Sequence, residues 1–248
     1  MKLQNRRDEG AGMHSMFSEN IFLLRLVVWM AIVFFSPCGF AYEKGDFLVR
    51  AGVAVIDPRE DSDSIDLGGI ELGEIGVESQ SVPIVNVSYF ATDHLAFELL
   101  LSKPPVFEIV GTTGLVKGVP IGDIEAYPLV ITAQYFPMDT QSRWQPFVGL
   151  GFNYVVAGDT DINPDLAPSF GAESIELEID DSFGLTLSVG LDFMVTDKLF
   201  VSAEAYYLDI EARGNGKVII GEQEIDMNLF SQTGYAPVLY SFTLGYIF

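Results

Sequence analysis

Between Ser182 and Phe193 the chain places Phe183, Leu185, Leu187, Val189, Leu191 and Phe193 at every second position. Ser182, Gly184, Thr186, Ser188, Gly190 and Asp192 fill the alternate places. A period of two turns one face of a strand greasy and leaves the other small and polar. On a helix the same residues would spread grease around the whole circumference. The alternation lasts twelve residues. Strands of soluble domains average about 5–6 residues, whereas a tilted membrane-crossing strand needs roughly 9–11 plus its ends.

Seven further segments carry the same pattern: 46–57, 81–90, 95–102, 127–136, 144–156, 199–210 and 237–248. The connections between the eight alternate long and short. Long ones cover 58–80, 103–126, 157–181 and 211–236; short ones cover 91–94, 137–143 and 195–198. An even strand count with that alternation predicts an all-β fold, an eight-stranded antiparallel transmembrane β-barrel with short periplasmic turns and long extracellular loops. Aromatic residues stand near segment ends (Phe47, Tyr89, Tyr135, Trp144, Phe193, Tyr246, Phe248), where interfacial girdles belong. The soluble rival is a lipocalin-like eight-stranded barrel, which would turn its large apolar residues inward.

Composition sharpens this picture. The 248 residues are 49% hydrophobic with a mean hydropathy of +0.30, yet the formal net charge is −22. A lipid-facing wall with acidic loops reconciles the two. Thirteen Lys and Arg against 35 Asp and Glu exclude a nucleic-acid binder, which needs a positive field. Cys38 is the one cysteine, so the chain forms no internal disulfide. The first 41 residues read as a secretory leader. Arg6 and Arg7 are followed by an apolar run over 21–35, broken by Arg25, and Gly39–Phe40–Ala41 offers a small–x–small cleavage site. Met13 and Met16 are alternative starts, and the surroundings of Arg6–Arg7 fit a twin-arginine signal poorly. Cleavage leaves 42–248 as the barrel, expected in the outer membrane of a Gram-negative bacterium.

Sorting the inward faces by height divides the lumen. Arg50, Ser88, Glu98, Gln134, Asp192 and Ser202, with Glu204 slightly above, lie toward the periplasmic end. Ala54, Ile56, Val82, Ile84, Leu100, Val130, Tyr206, Leu208 and Leu239 lie toward the outer end. A barrel of eight strands holds side chains or one small ligand. Arg50 is expected to pair with Glu98, and with Asp192 or Glu204, because an isolated charge there is costly to desolvate. The result is a greasy funnel over a polar plug formed by Arg50, Glu98, Gln134, Asp192 and Glu204. Solute avoids the charged floor if it leaves sideways through the wall. Pro83, Pro128, Pro146 and Pro237 each remove a ladder hydrogen bond that would seal such a route. The same apolar side chains also suit simple filling of the lumen.

Chemistry is sparse. His94 falls in a periplasmic turn, at the wrong end for a lipid hydrolase of the outer leaflet, so no catalytic residue is assigned. No cofactor is implied. Asp159, Asp161, Asn163 and Asp165 match the first ligand positions of a calcium loop, but Pro164 and Phe170 stand where glycine and the closing glutamate belong. Tyr246 and Phe248 end the last strand as a terminal aromatic signal for the barrel assembly machinery, or as girdle residues.

Several stretches together resemble the outer membrane protein W family. They are Phe47–Leu48–Val49–Arg50–Ala51–Gly52, Ala91–Thr92–Asp93–His94 with Glu98–Leu99–Leu100, Pro146 to Tyr154, and the ending Gly245–Tyr246–Ile247–Phe248. The resemblance implies an eight-stranded barrel with a narrow apolar interior that passes small hydrophobic molecules across the outer membrane. Some relatives resemble bacteriocin receptors, but the acidic loops here depart from the family in length or charge. The expected function is passive binding or conduction of small hydrophobic solutes, with outer-membrane lipid as surroundings. The alternative is a plugged structural or receptor barrel whose acidic loops meet a partner. Neither the solute nor an oligomeric state is legible.

Overall fold

The computed structural model describes residues 42–58, 63–169, 171–210, 214–228 and 236–248. The predicted leader, 1–41, lies outside them. Fourteen strands are present among the described residues. Eight build the barrel: β1 (Phe47–Asp57), β4 (Gln80–Thr92), β5 (Leu95–Ser102), β7 (Pro120–Tyr135), β8 (Trp144–Ile162), β10 (Ser182–Met194), β11 (Leu199–Leu208) and β14 (Val238–Ile247). Each pairs antiparallel with its neighbours in the order β1-β4-β5-β7-β8-β10-β11-β14. Pairing of β1 with β14, from Leu48↔Ile247 to Asp57↔Val238, closes the cylinder. Closure satisfies every strand edge, which is what permits a sheet to sit in hydrocarbon.

Burial alternates along each strand, and its sense is that of a membrane barrel. Phe183, Leu185, Leu187 and Val189 are exposed on the outside of β10, while Thr186, Ser188, Gly190 and Asp192 are buried inside. The lipocalin-like alternative requires the reverse. Cross-strand aromatic pairs ring the turn end: Phe47 lies 4.9 Å from Tyr89, and Trp144 lies 4.5 Å from Phe193. Tyr127, Tyr154, Tyr207 and Tyr240 are exposed toward the other end. From Trp144 to Tyr154 β8 climbs about 33 Å at ~3.3 Å per residue. At a strand tilt of ~40° that is about 25 Å of height, the depth of an apolar band. No helix among the described residues is long and apolar enough to cross a membrane.

The four long connections are not plain loops, as the sequence pattern had suggested. They contain β2 (Asp63–Leu67), β3 (Ile70–Val77), β6 (Val106–Gly111), β9 (Ser174–Ile179), β12 (Gly214–Ile220) and β13 (Gln223–Asn228). β7 and β8 run past the predicted ends of their segments and pair with each other up to Gly122↔Ile162. A bulge between Ile124 and Ala126 marks the point where β7 leaves the barrel wall. From there the sheet continues β7-β6-β3-β2-β13-β12-β9. This outer sheet curls around its own apolar core, in which Ile65, Ile75, Ile109, Ile121, Leu166 and Val218 are buried. The reason is visible in β9, where Ile175, Leu177 and Ile179 turn in and Glu176 and Glu178 turn out. Alternation survives in the acidic segments, and burial of its apolar half organises them.

Candidate functional site

The lumen is layered. At the turn end lies an aromatic floor that sequence reading missed. Tyr42, just ahead of β1, is buried with its ring 4.7 Å from Phe90, 5.2 Å from Phe136 and 5.8 Å from Phe200. Phe136 packs on Phe147 at 4.8 Å. Glycines on neighbouring strands make room for these rings. A Cβ on Gly190 would stand 2.2 Å from the Phe147 ring, and one on Gly245 would stand 2.1 Å from Phe200. Large and small residues thus interlock across β8–β10 and β11–β14.

Directly above sits the charged layer. The Arg50 guanidinium lies between Phe147 and Phe200, 5.6 and 5.2 Å from their centroids. Its Nη1 donates to Glu98 Oε2 at 3.0 Å and to Ser88 Oγ at 2.7 Å. Its Nη2 donates to Asp192 Oδ2 at 2.8 Å, and the Tyr42 hydroxyl bonds to the same oxygen. Arg50 does not ion-pair with Glu204. That carboxylate instead accepts from Gln134 Nε2 at 3.1 Å and lies 2.6 Å from the Tyr206 hydroxyl. The same hydroxyl lies 2.8 Å from Glu98 Oε1 and accepts from Asn86 Nδ2 at 2.8 Å. Tyr206, read from sequence as an apolar lumen residue, therefore joins the polar layer through its oxygen while its ring faces the grease. Buried charges of this kind persist only when paired and hydrogen-bonded.

The nine apolar inward positions pack above this layer as one cluster. Over them opens a chamber of about 170 Å³. Its wall includes Ile56, Val82, Leu100, Val130, Leu208 and Leu239 from the barrel, and Phe107 and Ile124 from the outer sheet. The packed core of the outer sheet, with a residual void of about 20 Å³, borders the chamber through Ile124 and Ile179.

Between β5 and β7 the wall of the chamber is interrupted. β5 and β7 pair from Leu95↔Tyr135 to Leu100↔Val130, and there the ladder stops. Two steps further the register sets Ser102 opposite Pro128, which has no N–H to donate. Pairing resumes where Ala126 N donates to Pro105 O at 3.1 Å. Residues 101–104 and 127–129 therefore bound a slit. Leu100, Ser102, Pro105, Pro128 and Val130 line the chamber at this slit, while Leu101, Tyr127 and Leu129 are exposed on its outer rim. The other prolines sit differently. Pro83 O accepts from Lys103 N at 3.2 Å, Pro146 keeps its register with Leu191, and Pro237 O accepts from Leu208 N at 3.1 Å. One strand further round, Val155, Ala157, Ile179 and Asp180 line the chamber just outside the start of the β8–β10 ladder at Ser182↔Val155, where β8 and β9 share no ladder.

Remaining candidates are dispersed. Asp159 and Asp161 are exposed on the outer half of β8, where Asp161 stands opposite Asp123 of β7. Asn163 Nδ2 donates to Pro120 O and its Oδ1 accepts from Asp165 N. No group of three or more metal-ligating side chains occurs among the described residues. His94 Nδ1 lies 2.9 Å from Phe136 O in its turn. Tyr246 and Phe248 meet at 4.8 Å on the outer rim of the turn end.

A closed eight-stranded barrel with a greasy exterior, two aromatic girdles and a plugged polar interior defines an outer-membrane β-barrel protein. The OmpW family profile matches residues 43–248, and the chain belongs to that family. Outer membrane protein W of Vibrio cholerae is 31% identical over 191 residues, covering 77% of this chain and 85% of that protein. The Escherichia coli protein of the same name is 31% identical over 213 residues, covering 86% and 93%. Among solved structures, outer membrane protein OprG from Pseudomonas aeruginosa superposes with a TM-score of 0.73 at 27% identity, covering 84% of this chain and 98% of that one. These relatives place the chain in the outer membrane of a Gram-negative bacterium, in contact with its lipid. Each is named as an outer membrane protein.

Proposed function

We propose that this barrel passively binds small hydrophobic molecules in its outer chamber and releases them sideways into the membrane. The observation that carries the reading is the coincidence of chamber and slit: an apolar cavity is bounded by the one place where the β5–β7 ladder fails. A sealed floor below supports it, since crossing the Arg50 layer would strip water from a polar solute or ions from their partners. In this reading solute reaches the chamber along the unladdered side between β8 and β9 and leaves between β5 and β7. Family membership agrees with this role. The first test is uptake of a hydrophobic tracer by liposomes that carry the barrel. Leu101→Cys with Leu129→Cys, opposite each other by register, should staple the slit. Uptake should fall several-fold on oxidation and recover with reductant. Leu100→Asp, facing the chamber, should lower uptake without preventing assembly. Uptake indifferent to both changes would overturn the reading.

The ordered outer sheet favours a second reading, in which an acidic, rigid platform receives a partner and the lumen is merely filled. Under that reading wild-type barrels admit no tracer beyond protein-free liposomes, and neither change has anything to alter.

A further inference from the structure

The chamber carries one polar group that nothing in the protein satisfies. Four lining residues have polar side chains: Ser102, Glu125, Asp180 and Ser182. Asp180 is exposed to solvent, Glu125 is only half-buried and interacts with Tyr127, and Ser182 has its own partner. The Ser102 hydroxyl is buried and makes no hydrogen bond. Its position accounts for this. Ser102 pairs with Ile84 on β4, but on its other side the ladder with β7 has ended and Pro128 has no N–H to offer. A buried hydroxyl without a partner costs about 1–3 kcal/mol. A valine or alanine at this place would avoid that cost and complete an apolar wall.

We infer that the chamber is a site for a small, neutral, oxygen-bearing hydrophobe, a phenol, alcohol or ketone, seated with its oxygen on Ser102 Oγ at the sill of the slit. The inference rests on the binding reading above and names its ligand class. Volume bounds the size. An apolar cavity near 150 Å³ accepts benzene, so about 170 Å³ suits one ring with a substituent, or a chain of comparable bulk. Chemistry bounds the polarity. The remaining wall is apolar, so a second polar group on the ligand would go unpaired. A serine hydroxyl both donates and accepts, so alcohols and carbonyl compounds are equally served. The ionisable residues in the lining are both carboxylates, so an anionic headgroup is disfavoured. At the slit the ligand's apolar body also faces Leu101 and Leu129, the direction in which it would pass into acyl chains.

The test compares p-cresol with toluene, molecules that differ by one hydroxyl. Affinity of each is measured by ligand-observed NMR on the refolded barrel in lipid nanodiscs, for the wild-type protein, Ser102→Ala and Ser102→Thr. Taking the ratio of wild type to variant cancels the different partition of the two probes into lipid. Ser102→Ala should weaken p-cresol about fivefold, the value of one neutral hydrogen bond, and leave toluene unchanged or slightly tighter. Ser102→Thr, which keeps the hydroxyl, should retain the preference. If Ser102→Ala changes both probes equally, the inference fails while the binding reading stands. If neither probe binds the wild-type barrel, the binding reading fails and the inference falls with it.

Discussion

At the scale of the residue, the floor depends on Arg50. One guanidinium answers two carboxylates, Glu98 and Asp192, with almost no access to water. Arg50→Met keeps the bulk between Phe147 and Phe200 but leaves both acids uncompensated. Removing one partner of a buried pair costs about 3–5 kcal/mol. The urea midpoint of the variant refolded in detergent should fall accordingly, and Arg50→Met with Glu98→Gln and Asp192→Asn should regain most of the loss. The faces of such residues were legible because alternation decides them: Arg50, Glu98 and Asp192 each fall on the polar side of their strands. The Arg50–Glu98 pair was expected and is present, whereas the choice of Asp192 over Glu204 as the second partner was not legible. Glu204 and Arg50 lie on strands that are not adjacent, and which acid meets which base is set by barrel radius and stagger. Tyr42 escaped altogether because it precedes any alternating segment, and a lone tyrosine near a predicted cleavage site gives no inward signal.

At the scale of the element, six of the eight barrel strands were readable to within two residues at each end, β7 and β8 run six or seven residues further, and the outer sheet was not foreseen. The acidic stretches were read as loops on their charge, although Ser174–Ile179 alternates as cleanly as a barrel strand and only its length is short. Their apolar halves find one another across four separate connections, a meeting that no single window of sequence displays. The core of the outer sheet offers a direct check. Val218 is buried among Ile65, Ile121 and Met227. Val218→Asp should open the outer sheet to protease added to intact cells, while the barrel stays protected in the membrane. Protection equal to wild type would mean that the outer strands do not depend on this core. The slit between β5 and β7 belongs to the same scale. Pro128 was one of four prolines singled out, but only the register of three neighbouring strands reveals that its ladder stops there.

At the scale of the whole molecule, the lumen is blocked along its axis by two stacked layers. Rings of Tyr42, Phe90, Phe136 and Phe200 close the bottom, and the ion pairs of Arg50 with Glu98 and Asp192 lie directly above. Planar bilayers carrying the protein should therefore show no steady ionic current above background at neutral pH. Sustained ohmic steps from the wild-type protein would show that ions pass a lumen these layers are expected to seal. Hydrophobic uptake without ion conductance is the combined signature of a side-opening barrel.

The joint between β1 and β14 has a further consequence. Leu48 meets Ile247, so the first barrel strand has no permanent partner on one flank until the last one has arrived. Emergence from the ribosome or the secretion pore proceeds from the front of the chain, and every incomplete product exposes a greasy ribbon with a raw edge. Closure of the cylinder waits for β14. A nonsense codon ahead of β14 should thus abolish the protein rather than shorten it.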